Sequence, residues 1–140
     1  MKMGKKYVPI TMGEVLKLAR EKISYKHNWL KFRMAENADK IYVDANSDDA
    51  CYWCASGAVL SVFPQGKYES KGHKFETPLD AEMYNDTLEF LSRYTRCADV
   101  FVFNDSPETG HDDVIDLFDR AITAYERDLQ PRAKGDTDNE

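Results

Sequence analysis

The sequence lacks the short motifs that would commit it to a reaction. It contains no GxxxxGK[ST] phosphate loop, no GxGxxG dinucleotide turn, no GxSxG nucleophile elbow and no HExxH zinc helix. Their absence lowers the weight of an enzymatic reading, leaves any catalytic role uncertain and turns attention to binding. An excess of positive charge is also missing: 19 Lys and Arg stand against 25 Asp and Glu, a net charge of -6. Polyphosphate backbones and anionic membranes repel such a chain, so neither nucleic acid nor membrane is the expected partner, and a basic partner would be drawn in. No apolar run approaches the ~20 residues of a membrane-crossing helix, and the basic segment 1–6, MKMGKK, leads into no signal-peptide core. These absences point to a cytoplasmic protein. Three cysteines, an odd number, then read as reduced thiols instead of a disulfide framework.

What the sequence does have is helical periodicity. Its 140 residues suit one compact domain over 1–129, with the polar stretch 130–140 expected to form a disordered tail. The most regular row is Val114, Leu117, Phe118, Ala121, Ile122 and Tyr125, whose three- and four-residue steps place all six on one side of a helix that must be buried. Just upstream, Asn104, Asp105, Ser106 and Pro107 are turn formers, and Thr109 with Asp112 resembles a capping box, so this helix begins between Pro107 and Asp112.

Thr11 and Glu14 form a T-x-x-E box ahead of Val15, Leu16, Ala19 and Ile23, which predicts a first helix over about 12–25. Trp29 to Met34 alternates apolar and basic residues as a short strand does, with a continuation of the first helix as the alternative, and Ile41–Val43 is a second extended piece followed by the polar DANSDD. Cys51, Cys54, Ala55, Ala58, Val59 and Val62 step as a second helix, and its small residues would let another helix approach closely. The segment 65–76 is polar and glycine-bearing, an exposed loop long enough to be a candidate binding loop. Thr77 and Pro78 open a third helix with Ala81, Tyr84, Leu88 and Leu91 inward, and Val100–Phe103 reads as a buried strand or extended crossing. The expected fold is mainly α: a compact single domain of about four helices with one or two short strands or extended segments.

Two pieces, Cys54-Ala55-Ser56-Gly57-Ala58 and Phe103-Asn104-Asp105 with Pro107, His111, Val114, Asp119, Ala121 and Ile122, carry a resemblance. Together they resemble a family of small uncharacterised bacterial and bacteriophage proteins with the pattern C-x-x-G-A, then W-N-D-x-P-x-x-T-H-x-x-V and a helix ending D-x-A-I. Trp29 corresponds to a tryptophan that follows the first helix of that family. Phe103 stands where the pattern has Trp, and Gly110 separates Thr109 from His111. The resemblance spans 11–125; it implies the helical fold and a phage or mobile-element origin, and it implies no reaction.

Four groups of residues carry candidate chemistry. Cys51-Tyr52-Trp53-Cys54 is a C-x-x-C, but acidic DANSDDA precedes it where a redox pair would follow an apolar strand, so both cysteines are expected to fill the core. A zinc site from Cys51, Cys54, Cys97 and His73 or His111 lacks the second close ligand pair, so neither a metal nor any other cofactor is expected. His111 with Asp105 and Asp112 is the best polar cluster for a catalytic base or a divalent ion, against the plainer alternative of a capped helix start. Aromatic residues interleaved with Lys and Arg make Trp29, Trp53 and Tyr68, with Asn104, Asp105 and His111, candidate binding residues.

From these the expected function is an acidic interaction protein, phage-encoded, that binds and modulates a host or phage protein, for example an inhibitor of a nucleic-acid-handling or defence factor. The alternative is a small-ligand or metal-binding enzyme using Asn104, Asp105, His111 and Asp112. A homo-oligomeric structural protein is the third option.

Overall fold

A computed structural model of the chain describes residues 10–129. The chain forms α1 (Met12–Lys22), β1 (Ala35–Glu36), β2 (Tyr52–Trp53), α2 (Ala55–Leu60), β3 (Tyr68–Ser70), β4 (His73–Phe75), α3 (Pro78–Ser92), α4 (Val100–Asp105) and α5 (His111–Leu129). A 3-10 turn, Lys26–Asn28, follows α1. The strands make two small antiparallel sheets, β1 with β2 and β3 with β4, so the fold is mainly helical with short strands. The basic segment 1–6 and the tail expected over 130–140 lie outside the described residues.

The three long helices form where caps and periodicity agree. Both halves of the Thr11–Glu14 capping box are present at α1, which ends at Lys22, short of the expected residue 25. The Thr77 hydroxyl accepts from the Asp80 N–H at the start of α3, with Pro78 as its first residue. In α5, Val114, Leu117, Phe118 and Ala121 are fully buried, and Ile122 and Tyr125 partly so. That row packs on Val15, Leu16, Ala19 and Ile23 of the α1 segment, with the exposed pairs Arg20–Asp119 and Lys17–Glu126 at its rim. Each such surface pair contributes about 0–1 kcal/mol, whereas a large apolar side chain contributes roughly 1.5–3 kcal/mol when fully buried. The apolar seam therefore holds α1 to α5.

All six residues of α2 are buried, as in a helix enclosed on every side. α1, α3 and α4 pack on it. Gly57 admits a further neighbour: a Cβ there would lie 1.9 Å from the Met34 carbonyl oxygen. At that glycine the close approach is made by the backbone leading into β1, where a second helix was expected.

Several local expectations are corrected. The Val100–Phe103 run is the first turn of α4, not a strand, because the Asp99 carboxylate accepts from the N–H groups of Phe101 (2.8 Å) and Val102 (3.2 Å). Coiling sends Val100 and Phe103 inward and leaves Phe101 and Val102 exposed. The second helix begins at Ala55, not Cys51; Tyr52 and Trp53 pair with Glu36 and Ala35, and Cys54 is the N-cap. Residues 65–76 are not a structureless loop, since Tyr68–Ser70 and His73–Phe75 pair across Lys71 and Gly72, whose φ values of 52° and 85° suit a two-residue reversal. The Thr109–Asp112 box does not form: the Gly110 N–H donates to Asp113 instead (2.8 Å), and the buried Thr109 hydroxyl has no protein partner among the described residues. From Trp29 to Met34, strand pairing is confined to one bridge between Trp29 and Trp53. Near 41–43, one bridge joins Tyr42 to Glu36.

Candidate functional site

Asn104 is 1% exposed at the C-terminal end of α4. Its Oδ1 accepts from the Trp29 indole N–H (2.7 Å) and the Ala55 backbone N–H (3.0 Å). Its Nδ2 donates to the Leu30 carbonyl (3.2 Å) and to Asp105 Oδ1 (3.0 Å). A side-chain amide offers two donors and two acceptor lone pairs, so every one is engaged. Ala55 is the first residue of α2, where helix N–H groups have no partner of their own. One side chain thus ties the segment after α1 to the start of α2 and the end of α4.

Asp105 extends the network to the surface. Its Oδ1 also accepts from the Phe32 N–H (2.8 Å), and Phe32 sits at φ 73° with 75% of its surface exposed. The left-handed region costs an L-residue about 1–2 kcal/mol, and a bulky side chain there is an outlier. Next to it, the Lys31 ammonium donates to the Ser106 carbonyl (2.7 Å) and lies over the Trp29 ring. Residues 31 and 32 are therefore fixed to the end of α4 by two side-chain bonds. Between Phe32 and Phe101 lies a cleft of about 80 Å3, lined also by Arg33, Met34, Cys54, Asn104 and Asp105.

The His111 ring, half-buried beside Trp29, places Nε2 2.6 Å from the Ile23 carbonyl oxygen. A carbonyl only accepts, so Nε2 carries the hydrogen and α5 is tied to the end of α1. The Cys54 thiol, buried, accepts from the Gly57 N–H (3.3 Å) and lies 3.2 Å from the Ser56 hydroxyl. Burial pushes its pKa up, against the lowering effect of those hydrogen bonds, so it is a capping thiol and not a thiolate. Cys51, expected beside it on the buried stripe, is outside the helix and only half-buried; Cys97 is exposed. Among the described residues, no three His, Cys, Asp or Glu side chains gather as an ion's ligands would.

The structure brings Trp29, Asn104, Asp105 and His111 into one connected cluster. Trp53 adjoins it by backbone, its carbonyl accepting from the Leu30 N–H, while its buried indole donates to the Ala45 carbonyl. Tyr68 is exposed on the β3–β4 hairpin, which packs against α3, and Asp112 is exposed on the first turn of α5. Phe101 and Val102, which expose 46% and 55% of their surface, were missed because an apolar run reads as core.

A family model described as a family of unknown function matches residues 8–124. The chain belongs to this family, DUF6197. The span matched to DUF6197 takes in every side chain of the Asn104 cluster and nearly coincides with the 11–125 resemblance read from the sequence. No curated protein and no solved structure matches the chain. No helix among the described residues of this DUF6197 member is long and apolar enough to cross a membrane.

Proposed function

We propose that the chain works by binding a protein partner through the face that carries Phe32 and Phe101. The observation that carries this is Phe32 itself: a bulky side chain held at φ 73° by the Asp105 carboxylate, yet 75% exposed. An exposed aromatic gives the fold little burial in return for about 1–2 kcal/mol of backbone strain, and such strain clusters at functional sites. Phe101 and Val102 widen the apolar face, and aromatic anchors beside small pockets are what protein interfaces use most.

The expected version, in which acidic helix faces occupy a host site built for nucleic acid, has less support on α5. There Asp116, Asp119 and Glu126 each pair with a basic side chain. The reading as a ligand-binding enzyme at Asn104, Asp105, His111 and Asp112 also has less support. All of Asn104's hydrogen-bonding capacity and the His111 Nε2 hydrogen go to tying elements together.

The test uses tagged wild type and the double variant Phe32→Ser, Phe101→Ser as baits in lysate of the source cells. Both sites are exposed, so the variant should fold. A protein retained by wild type and lost by the variant supports the proposal; identical retention, or none, contradicts it.

A further inference from the structure

The cleft also specifies what kind of segment it takes, provided the face is a protein-binding surface as proposed above. At about 80 Å3 it is far smaller than the roughly 300–1,000 Å3 of small-molecule sites, so it is a socket for one side chain. Its buried members are Cys54 and Asn104, and its exposed members are the apolar Phe32 and Phe101 with Arg33. The charges around it do not balance. Arg33 is paired with Glu36 (3.3 Å), Arg96 with Glu108 (3.6 Å), and the Lys31 ammonium is held by the Ser106 carbonyl. Asp99 and Asp105, one at each end of α4, have no ion pair among the described residues. The hydrogen bonds Asp105 accepts from Phe32 and Asn104 both fall on Oδ1, which leaves the other carboxylate oxygen for a partner.

We infer that the partner segment is basic: one aliphatic or methionine side chain enters the cleft, and an adjacent Lys or Arg pairs with Asp105. A half-buried carboxylate with one oxygen unbonded, beside an apolar socket, selects that combination, since the socket supplies the contact area and the charge fixes orientation and rejects acidic sequences.

A random peptide display library selected on the purified full chain tests this, followed by binding of fluorescein-labelled synthetic copies of the selected peptides. Enrichment of Leu, Ile or Met next to Lys or Arg is expected. Asp105→Asn keeps an oxygen to accept from Phe32 and Asn104 but removes the charge, so it should bind those peptides about tenfold more weakly, with a flatter salt dependence, while the weaker neutral hydrogen bonds lower the melting temperature by only a few degrees. Acidic selected peptides, or equal affinity for Asp105→Asn and wild type, overturn the inference while loss of binding by Phe32→Ser still supports the face. Peptides that bind Phe32→Ser as well as wild type overturn the face and the inference together. Selection of no peptide counts against both.

Discussion

Replacing Asn104 by Ala should be among the most damaging single changes in the chain, although the residue is polar. The substitution deletes four hydrogen bonds at once. Ala55 is 0% exposed, so its N–H would be left in the interior without a partner, at about 1–3 kcal/mol. Trp29 and Leu30 are half-buried, and water reaching them would recover part of the loss at the indole N–H and the carbonyl. The sum is roughly 3–5 kcal/mol, a large share of the 5–15 kcal/mol typical of a domain. In urea, with a slope of about 2 kcal/mol/M, the unfolding midpoint should fall by about 2 M. Trp29→Phe removes the indole donor together with part of the ring, and in the Asn104→Ala background it should cost about 1 kcal/mol less than in wild type, because the hydrogen-bond partner is already gone. A loss below about 1 kcal/mol for Asn104→Ala, or full additivity with Trp29→Phe, would refute the view that this amide is the tie between α2 and α4.

Other substitutions and conditions test separate parts of the structure. Gly57→Ala sets a Cβ against the Met34 carbonyl oxygen, at a distance of 1.9 Å, and should cost about 3 kcal/mol, the upper end for overpacking; an unchanged urea midpoint would contradict the close approach. With a thiol reagent at neutral pH, Cys97 should react first, Cys51 more slowly and Cys54 only on unfolding, which peptide mapping of the labelled protein reads out. Early labelling of Cys54 would show that its capping site opens. Burial holds the His73 imidazole below its ordinary 6.5, against the opposing pull of Asp44. Its contribution to stability is thus complete above 6.5 and lost as the pH falls through the lower folded value, so the melting temperature should drop on acidification and less so in His73→Phe. An NMR midpoint for His73 at or above 6.5 would contradict this.

The long elements were legible because sequence supplies two independent signals for them. Thr11 with Glu14 and Thr77 with Pro78 mark starts that the apolar spacing of α1 and α3 then confirms, and the row from Val114 runs long enough for its period to be unambiguous. α4 is six residues, under two turns, so Val100–Phe103 fits a strand as well as a helix until Asp99 is seen to cap it. α2 was misplaced at its start because its cap is the Cys54 thiol, a residue that the apolar spacing from Cys51 onward had counted inside the helix. Asn104 and Asp105 looked like turn formers because local propensity is all a single sequence shows, whereas their bonds to Trp29, Leu30 and Phe32 span more than 70 residues. The family resemblance picked out both Trp29 and the Asn104 motif, as separate pieces of the pattern. Nothing in the residue type of Phe32 announces a positive φ; only the Asp105 carboxylate, from a distant segment, imposes it.

The most direct measurement is thermal stability and peptide binding of Phe32→Gly side by side. Glycine relieves about 1–2 kcal/mol of left-handed strain and gives back about 0.5–1 kcal/mol through its freer unfolded chain, and little burial is lost at a residue 75% exposed. A melting temperature equal to or above that of wild type, together with loss of binding, is the result expected if Phe32 is held out for a partner. A melting temperature several degrees lower with binding retained would show that Phe32 serves the fold and that the binding face lies elsewhere.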